Sequence, residues 1–504
     1  MRDAPSPLRA AMRRKYETLL SAIGGIVLLI GAFHLLPLLL LPFHPHPWQD
    51  VLAFVAPALL GIALGAWPYL RWRPRGTPYP LSVQDGAILV VVVWGVAIVL
   101  GALPFWIGGQ LGPLNALFES VSGWTTTGLS VMNPSAIPDM FLLWRSLTQF
   151  LGALGVVLIA LIAIIGTSAQ SLYLAEGRSS LLLPNVRHTV KLIVAIYVGM
   201  GVASVALYWV GGMSFLDAVN HAMATISTGG FGTYLENFAI WDSWVLELIA
   251  FLLMFLAATN YTTHFLLLRG NWRDGLRNRE WRVAGGLLLV AIPALFLSLA
   301  ALPEYGWSFK SLRTAGFEAM SALSSTGFSS TSYGRWPDLA VFVLTLLMFI
   351  GGGAGSTAGG LKLYRVYLLL SSIRWKLRRR MLPRRALVEN RVWTGDQWEK
   401  VTSDELINVS SFFLLYLLVY VAGVIVFLAY GYPMRDSLFE MASSIGTAGL
   451  SVGITSATAP ALIRITEIVA MVLGRLEFFV VIYGVWQFAG DVRRARQAGE
   501  PAPS

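Results

Sequence analysis

Phe118–Ser130 has the sequence FESVSGWTTTGLS, in which three threonines precede Gly128. The pattern returns in three later segments: NHAMATISTGGFG at Asn220–Gly232, FEAMSALSSTGFS at Phe317–Ser329 and FEMASSIGTAGLS at Phe439–Ser451. When the segments are aligned, their glycines coincide at Gly128, Gly230, Gly327 and Gly449. Every copy has a hydroxyl side chain two positions earlier and a large apolar side chain one position later. Four copies at intervals of roughly a hundred residues indicate one structural unit repeated four times.

The composition is that of a membrane protein. Of the 504 residues, 56% are hydrophobic and 13% are charged, whereas about a quarter of the residues in soluble proteins are charged. Apolar runs long enough to cross a bilayer recur along the chain. The net charge of +10 comes from Lys and Arg clusters between these runs, which is typical of topology signals rather than of nucleic-acid binding. Because the chain has no cysteine, disulfides and thiolate metal sites are excluded.

The apolar runs predict an all-α polytopic membrane protein with ten full spans. Residues 1–77 form an extra N-terminal helix pair without a glycine segment. Each of the four units that follow contains a span, a re-entrant pore loop and a second span, arranged pseudo-symmetrically around one pore. Units 1 to 4 are residues 78–180, 181–275, 276–390 and 391–504. Their pore loops are 114–130, 214–232, 311–329 and 434–451, and their second spans are 139–165, 243–268, 338–371 and 459–489.

The basic segments between the spans predict the orientation of the chain. In the ten-span layout they all fall on the same side as the N-terminus, and the positive-inside rule makes that side cytoplasmic. Both termini are therefore expected in the cytoplasm. The four pore loops then enter the membrane from outside.

The four glycine segments have the properties of an ion filter. A short helix that dips in from outside directs its carbonyl end, with about half a negative charge, toward the membrane centre and favours a cation there. The strand after it can line the axis with carbonyl oxygens, as in potassium channels, and glycine permits the backbone angles required. The alternative, that small residues only allow close helix packing, explains one copy as well but not four aligned copies. The predicted ion-binding residues are Thr126, Thr127, Gly128, Thr228, Gly229, Gly230, Ser325, Thr326, Gly327, Thr447, Ala448 and Gly449.

Two further intramembrane features follow the third and fourth pore loops. Glycine costs about 1 kcal/mol in a helix interior, so the glycine-rich residues 351–360 predict a flexible gating loop, or alternatively a kink that allows close packing. The predicted gating residues there are Gly351, Gly352, Gly353, Gly355, Ser356, Thr357, Gly359 and Gly360. Arg475 lies in the last apolar run, where a charge needs a cavity or a partner. We predict that it gates the pore, or that it pairs with Glu467, with Glu477 or with carbonyls freed by the glycine loop.

A charged or polar residue stands nine positions before each filter glycine. It is Glu119, Glu318 or Glu440 in three copies and His221 in the second. Two interpretations of the glutamates are equally compatible with the sequence. They attract cations to the mouth of the pore, or they complement the positive end of a short helix.

These features resemble the Trk/Ktr/HKT superfamily of potassium and sodium transporters. Trp144–Leu154 (WRSLTQFLGAL), Phe349–Arg365 (FIGGGAGSTAGGLKLYR) and Gly474–Phe478 (GRLEF) resemble the second helices of units 1, 3 and 4 in that superfamily. The match covers roughly residues 85–490. The extra N-terminal pair of spans is similar to the TrkH branch.

The resemblance implies the membrane subunit of a potassium uptake system in the bacterial inner membrane. It also implies a homodimer in the lipid bilayer, a cytoplasmic TrkA-type subunit that binds nucleotide, and potassium at the filter residues. In the superfamily, serine at the first filter glycine is associated with sodium permeation, so Gly128 favours potassium. Gly229, Gly232 and His221 depart from the other copies and suggest looser selectivity. A sodium- or proton-coupled symporter on the same scaffold is the alternative.

No enzymatic function is expected. The six histidines are scattered and form no catalytic cluster in the spans. The chain lacks a GxxxxGK[ST] nucleotide motif, so we expect no cofactor in it besides the transported potassium ion. Nucleic acid is not an expected partner.

Overall fold

The computed structural model describes residues 7–73, 79–155, 186–383, 390–393 and 398–497. Almost all of the regular structure in these ranges is helical. The helices are α1 (Pro7–Phe33), α2 (Trp48–Arg71), α3 (Val83–Ile107), α4 (Pro113–Trp124), α5 (Asp139–Leu154), α6 (Val186–Val210), α7 (Phe215–Ile226), α8 (Trp244–Ala257), α9 (Tyr261–Leu268), α10 (Trp272–Leu276), α11 (Arg279–Ala300), α12 (Phe309–Leu323), α13 (Asp338–Ile350), α14 (Leu363–Met381), α15 (Ser403–Ala429), α16 (Met434–Ile445), α17 (Ala461–Leu476) and α18 (Phe478–Gln497). Short 3₁₀ turns lie at Leu36–Leu40, Pro134–Ala136 and Asn237–Ile240.

The predicted all-α class omits one small element. Strands β1 (Arg391–Trp393) and β2 (Trp398–Lys400) pair antiparallel, with Val392 opposite Glu399. Val392 is buried with Leu368, Val401 and Val409 in a small hydrophobic cluster. This hairpin lies between α14 and α15.

Six of the ten predicted spans are helical segments long and apolar enough to cross a membrane. They are Ala10–Leu40, Trp48–Arg71, Val83–Ile107, His188–Val210, Arg279–Ala300 and Ser403–Ala429. The other four predicted spans are the second spans of the units. Unit 1 has α5, and residues 156–165 of its predicted span lie outside the described residues.

The second spans of units 2, 3 and 4 are broken helices. The chain bends by 102° between α8 and α9 and by 95° between α17 and α18, and residues 351–362 separate α13 from α14. The predicted continuous spans 243–268 and 459–489 are therefore wrong at the breaks. Asn260 starts α9 by accepting a hydrogen bond from Thr262 N at 2.8 Å, and Glu477 adopts a left-handed backbone with φ 59°. Both local features interrupt an apolar run whose hydrophobicity continues on either side.

The N-terminal pair packs closely because small residues face each other. A Cβ atom on Gly24, Gly31 or Gly65 would overlap backbone atoms of the opposing helix. Helix α1 is also joined to α3 and α18 by a buried charge cluster. In this cluster the Lys15 ammonium group contacts the carboxylates of Asp85 and Asp491.

The short helices α4, α7, α12 and α16, called pore helices below, lie at the centre of the bundle. The second helix of each unit packs against the pore helix of the next one. Thus α5 contacts α7, α8 contacts α12, α13 contacts α16, and α17 contacts α4. The contacts close into a ring, which holds the ends of the four pore helices together.

Candidate ion filter and gate

The backbone after each pore helix has the same unusual conformation in all four units. A hydroxyl residue two positions before the filter glycine has a positive φ: 55° at Thr126, 53° at Thr228, 52° at Ser325 and 47° at Thr447. The glycines themselves have φ of 92° at Gly128, 70° at Gly230, 82° at Gly327 and 85° at Gly449. Positive φ is uncommon for residues other than glycine. Its repetition at equivalent positions indicates a functional constraint on the backbone.

The four filter glycines lie in one ring. A Cβ atom on Gly128 would overlap the carbonyl oxygen of Gly229, and each later glycine has the equivalent relation to the next unit. A Cβ atom on Gly230 would overlap the carbonyl oxygen of Thr326. A Cβ atom on Gly327 would overlap that of Ala448, and one on Gly449 would overlap that of Thr127. The fourth contact thus returns to unit 1. Glycine fits these four positions because a Cβ atom would overlap the neighbouring strand unless that strand shifted.

Each filter strand is hydrogen-bonded to its own pore helix in the same way. The backbone N–H that precedes the glycine donates to a carbonyl five residues earlier in the chain. The four bonds are Thr127 N to Ser122 O at 2.9 Å, Gly229 N to Ala224 O at 2.8 Å, Thr326 N to Ser321 O at 3.0 Å and Ala448 N to Ser443 O at 2.9 Å. The strand conformation is therefore set by the helix end.

The three glutamates hold the strand that leaves the filter. Glu119, Glu318 and Glu440 are at most 1% exposed, and none lies in the first turn of its helix. Each accepts a hydrogen bond from the backbone N–H three residues after the glycine. The donors are Val131 N at 3.1 Å, Ser330 N at 2.7 Å and Val452 N at 3.0 Å. Neither interpretation of these glutamates was right: they are not exposed at a mouth, and they do not complement a helix start.

In unit 2, a different carboxylate, that of Asp217, holds the strand that leaves the filter. His221 is buried among Phe238, Trp241 and Phe328 and bonds within its own helix to Asp217 O at 2.9 Å. The Asp217 carboxylate accepts a hydrogen bond from the Thr233 hydroxyl at 2.6 Å. Since Thr233 stands three residues after Gly230, Asp217 takes the place of the glutamate.

Arg145 on α5 is a functional candidate that sequence reasoning missed. It is 2% exposed and bonds to Glu119 at 2.8 Å and to Gly232 O at 3.0 Å. Its guanidinium group lies 4.0 Å from the centre of the Phe231 ring. Arg145 thereby joins the filter strands of units 1 and 2. The available signal was a lone arginine in an apolar helix, which requires a buried partner.

The glycine loop, residues 351–360, lies against the ends of three pore helices. The Thr357 hydroxyl lies 3.1 Å from both Ile226 O and Ala257 O. Gly359 N donates to the Ser325 hydroxyl at 3.0 Å, and a Cβ atom on Gly359 would overlap the Thr447 hydroxyl. The loop thus contacts the residues two positions before the filter glycine in units 3 and 4. Its predicted non-helical conformation is confirmed.

Arg475 joins the glycine loop to unit 1. One guanidinium nitrogen donates to Thr357 O at 2.6 Å, and the other donates to Gly152 O and Ala153 O at 3.2 Å each. Of the partners predicted for Arg475, the carbonyls freed by the glycine loop are therefore observed. Glu477 instead pairs with Arg365 at 2.8 Å. Glu467 accepts a hydrogen bond from Thr455 at 2.6 Å.

Charged side chains surround the glycine loop. The Lys362 ammonium group donates to Ala358 O within the loop. Glu280 accepts a hydrogen bond from Ala354 N at 2.8 Å. With Arg365 and Arg475 nearby, three cationic groups and the carboxylates of Glu280 and Glu477 surround the loop.

Comparison with known proteins gives a consistent result. A family model described as TrkH, cation transport protein, matches residues 53–275 and 309–485. The Trk system potassium uptake protein TrkG of Escherichia coli is 30% identical over 475 residues, covering 91% of this chain and 95% of TrkG. The Trk system potassium uptake protein TrkH of Halomonas elongata is 30% identical over 485 residues, covering 91% of this chain and 96% of its own length.

A solved structure has the same fold. The crystal structure of the potassium transporter TrkH from Vibrio parahaemolyticus superposes with a TM-score of 0.81 at 26% sequence identity. The superposition covers 93% of this chain and 98% of the other.

Proposed function

Because this chain belongs to the TrkH family of cation transport proteins, we propose that it takes up potassium across a cell membrane through the filter ring. Relatives from Escherichia coli and Halomonas elongata are named potassium uptake proteins. The observation that carries the proposal is the closed ring of Gly128, Gly230, Gly327 and Gly449 with the preceding carbonyls. Potassium is held there by the twelve predicted filter residues.

The ring suits a dehydrated monovalent cation. The carbonyl ends of four helices converge on it, and each carries about half a negative charge. Backbone oxygens replace the water of the ion, as they do in potassium channels. The repeated left-handed residues allow successive carbonyls to turn toward the axis instead of alternating as they do in a β-strand.

The glycine loop and Arg475 form the gate of this pathway. The loop contacts the inner ends of the filter strands in units 3 and 4, and Arg475 fastens it to unit 1. A fixed positive charge on the axis repels potassium. Movement of the loop away from the filter, together with Arg475, would open the pathway.

The membrane potential can drive uptake. It contributes about 2.3 kcal/mol per charge for each 100 mV, and about 1.4 kcal/mol corresponds to a factor of ten in concentration. A potential of about 100 mV thus sustains roughly a fifty-fold potassium gradient. This proposed pathway needs no nucleotide hydrolysis by the chain itself.

The orientation in the membrane and the partner subunits are part of the proposed function. The pore loops face outward from the bacterial inner membrane, and both termini are cytoplasmic, which the basic segments support. A homodimer binds a cytoplasmic TrkA-type subunit that senses nucleotide and acts on the gate. The helix α14 follows the glycine loop, and the exposed Arg378, Arg379 and Arg380 in its last turn offer a contact for this subunit.

A proton-coupled symporter is the second candidate, and one observation favours it. The Thr455 hydroxyl lies 2.5 Å from a Glu440 oxygen and 2.6 Å from a Glu467 oxygen. A hydroxyl has one hydrogen to donate, so hydrogen bonds to both carboxyl groups require a proton on one of them. A proton held beside the unit 4 strand is one means of coupling proton and cation movement.

Flux through reconstituted proteoliposomes tests the proposal. We expect potassium-dependent flux under an imposed potential, with sodium carried less well and without a pH gradient. Equal potassium and sodium flux would contradict the filter assignment. Flux that requires a pH gradient, and loses this requirement in Glu467→Gln, would favour the symporter.

A further inference from the structure

The residue before the filter glycine differs among the four units: Thr127, Gly229, Thr326 and Ala448. In units 1 and 3 the threonine hydroxyl pairs with the hydroxyl two residues earlier. The Thr125–Thr127 and Ser324–Thr326 distances are both 2.7 Å. In unit 2 the equivalent earlier residue, Ser227, bonds to Ala224 O at 3.0 Å, and Gly229 has no side chain. The space behind this strand must be filled by another residue.

Gln149 of α5, in unit 1, fills that space. It is fully buried, and its Nε2 donates to Gly229 O at 2.5 Å. Its Oε1 accepts a hydrogen bond from Phe231 N at 3.2 Å. The amide thus bonds to the backbone on both sides of Gly230. A Cβ atom on Gly229 would overlap this amide, so the position of the Gln149 side chain requires glycine at 229.

The hydrogen bond from Gln149 is made to one of the four ring carbonyls. Gly229 O is the oxygen that contacts Gly128, and it belongs to the ring of four carbonyls that face the filter glycines. Among the residues that the structure describes, the other three ring carbonyls have no side-chain donor. An N–H donor competes with an ion for the oxygen lone pairs and fixes the direction of the carbonyl. The Gly229 oxygen of unit 2 therefore differs from the other three ring oxygens in its attraction for a cation and in its position.

We propose that Gln149 is a positioning residue that sets ion selectivity by holding the Gly229 carbonyl from behind the filter. This inference rests on the proposed function of the ring. Gln149 does not touch the ion. From a neighbouring unit, it occupies the place that the hydroxyl pair takes in units 1 and 3.

Gln149→Met, measured in proteoliposomes, tests the inference. Methionine keeps the length of the side chain and removes both hydrogen bonds. We expect the potassium-to-sodium permeability ratio to fall about fivefold, which corresponds to about 1 kcal/mol, the usual net contribution of one hydrogen bond, while flux persists. Thr148→Val is the matched control, because the buried Thr148 hydroxyl bonds only to Arg145 O of its own helix at 2.7 Å. Its ratio should equal that of the wild type.

A double variant separates selectivity from packing. Gln149→Ala with Gly229→Thr recreates the arrangement of units 1 and 3, because Ser227 can pair with the new hydroxyl. Because the double variant fills the space but supplies no donor to the carbonyl of residue 229, we expect its ratio to stay as low as that of Gln149→Ala, whereas Gly229→Thr alone should be the most impaired. A double variant whose ratio returns to that of the wild type would overturn the inference, because packing alone would then set the selectivity.

Gly128→Ser, measured in parallel, distinguishes a failure of the inference about Gln149 from a failure of the filter assignment. If Gly128→Ser lowers the permeability ratio and Gln149→Met does not, the inference about Gln149 fails and the filter assignment stands. If neither changes the ratio, the filter assignment fails and the inference fails with it. If Gln149→Met does not give a monodisperse protein, the double variant decides the question.

Discussion

At the scale of single residues, the filter depends on backbone that side chains hold from behind. Thr126, Thr228, Ser325 and Thr447 keep positive φ although a non-glycine residue there costs about 1–3 kcal/mol. The sequence predicted the position of these hydroxyls but not their backbone conformation, because threonine and serine have no left-handed preference of their own. The buried carboxylates escaped prediction for a related reason. Their partners come from strands whose path the sequence does not specify.

Gly128→Ser is expected to reduce the preference for potassium over sodium. Serine at φ 92° is strained, and its Cβ would displace the Gly229 carbonyl. Permeability ratios in proteoliposomes measure the effect. Gly112→Ser is the control, because Gly112 precedes the same pore helix, has φ −66° and faces open space. An identical ratio in the two variants would refute the role of Gly128.

Glu119→Ala is expected to destabilise the protein by about 3–5 kcal/mol, because it leaves the buried Arg145 charge without its carboxylate. Thermal unfolding in detergent measures the loss. Glu304→Ala is the control. Glu304 forms an ion pair with Arg335, and the two side chains are 58% and 85% exposed, respectively. Such exposed pairs contribute about 0–1 kcal/mol to stability. Equal melting temperatures for the two variants would argue against a structural role for Glu119.

At the scale of elements, the broken second helices are the main feature. The breaks after α8, α13 and α17 release carbonyls and loops that a continuous helix could not offer. Ala257 O binds Thr357, and the loop around Thr357 binds Arg475. The pore helices were predicted because they are short and precede glycine. Two of the three breaks were not, although polar residues stand at both of them: Thr259 and Asn260 after α8, and Glu477 after α17.

Arg475→Ala is expected to raise basal flux severalfold. The substitution removes a fixed charge and three hydrogen bonds that hold the glycine loop under the filter. Flux in the absence of any cytoplasmic partner measures the effect. Arg493→Ala is the control, because Arg493 is an exposed arginine on the following helix. A lower flux in well-folded Arg475→Ala would show that Arg475 assists conduction.

At the scale of the whole molecule, a ring of contacts joins the four units. Each second helix packs on the next pore helix, and Arg145 and Gln149 carry the same connection from unit 1 to unit 2. The fourfold glycine pattern predicted that the filter segments meet, and the structure brings them together. The glycine pattern did not predict that neighbouring units support each other's strands, because such contacts join residues far apart in the chain.

The most direct measurement is the position of a heavy alkali ion in the protein. Anomalous diffraction from crystals grown in rubidium would locate it. We expect a peak on the axis enclosed by the carbonyl oxygens of Thr127, Gly229, Thr326 and Ala448. A ring without a peak, with rubidium bound elsewhere in the same crystal, would contradict it.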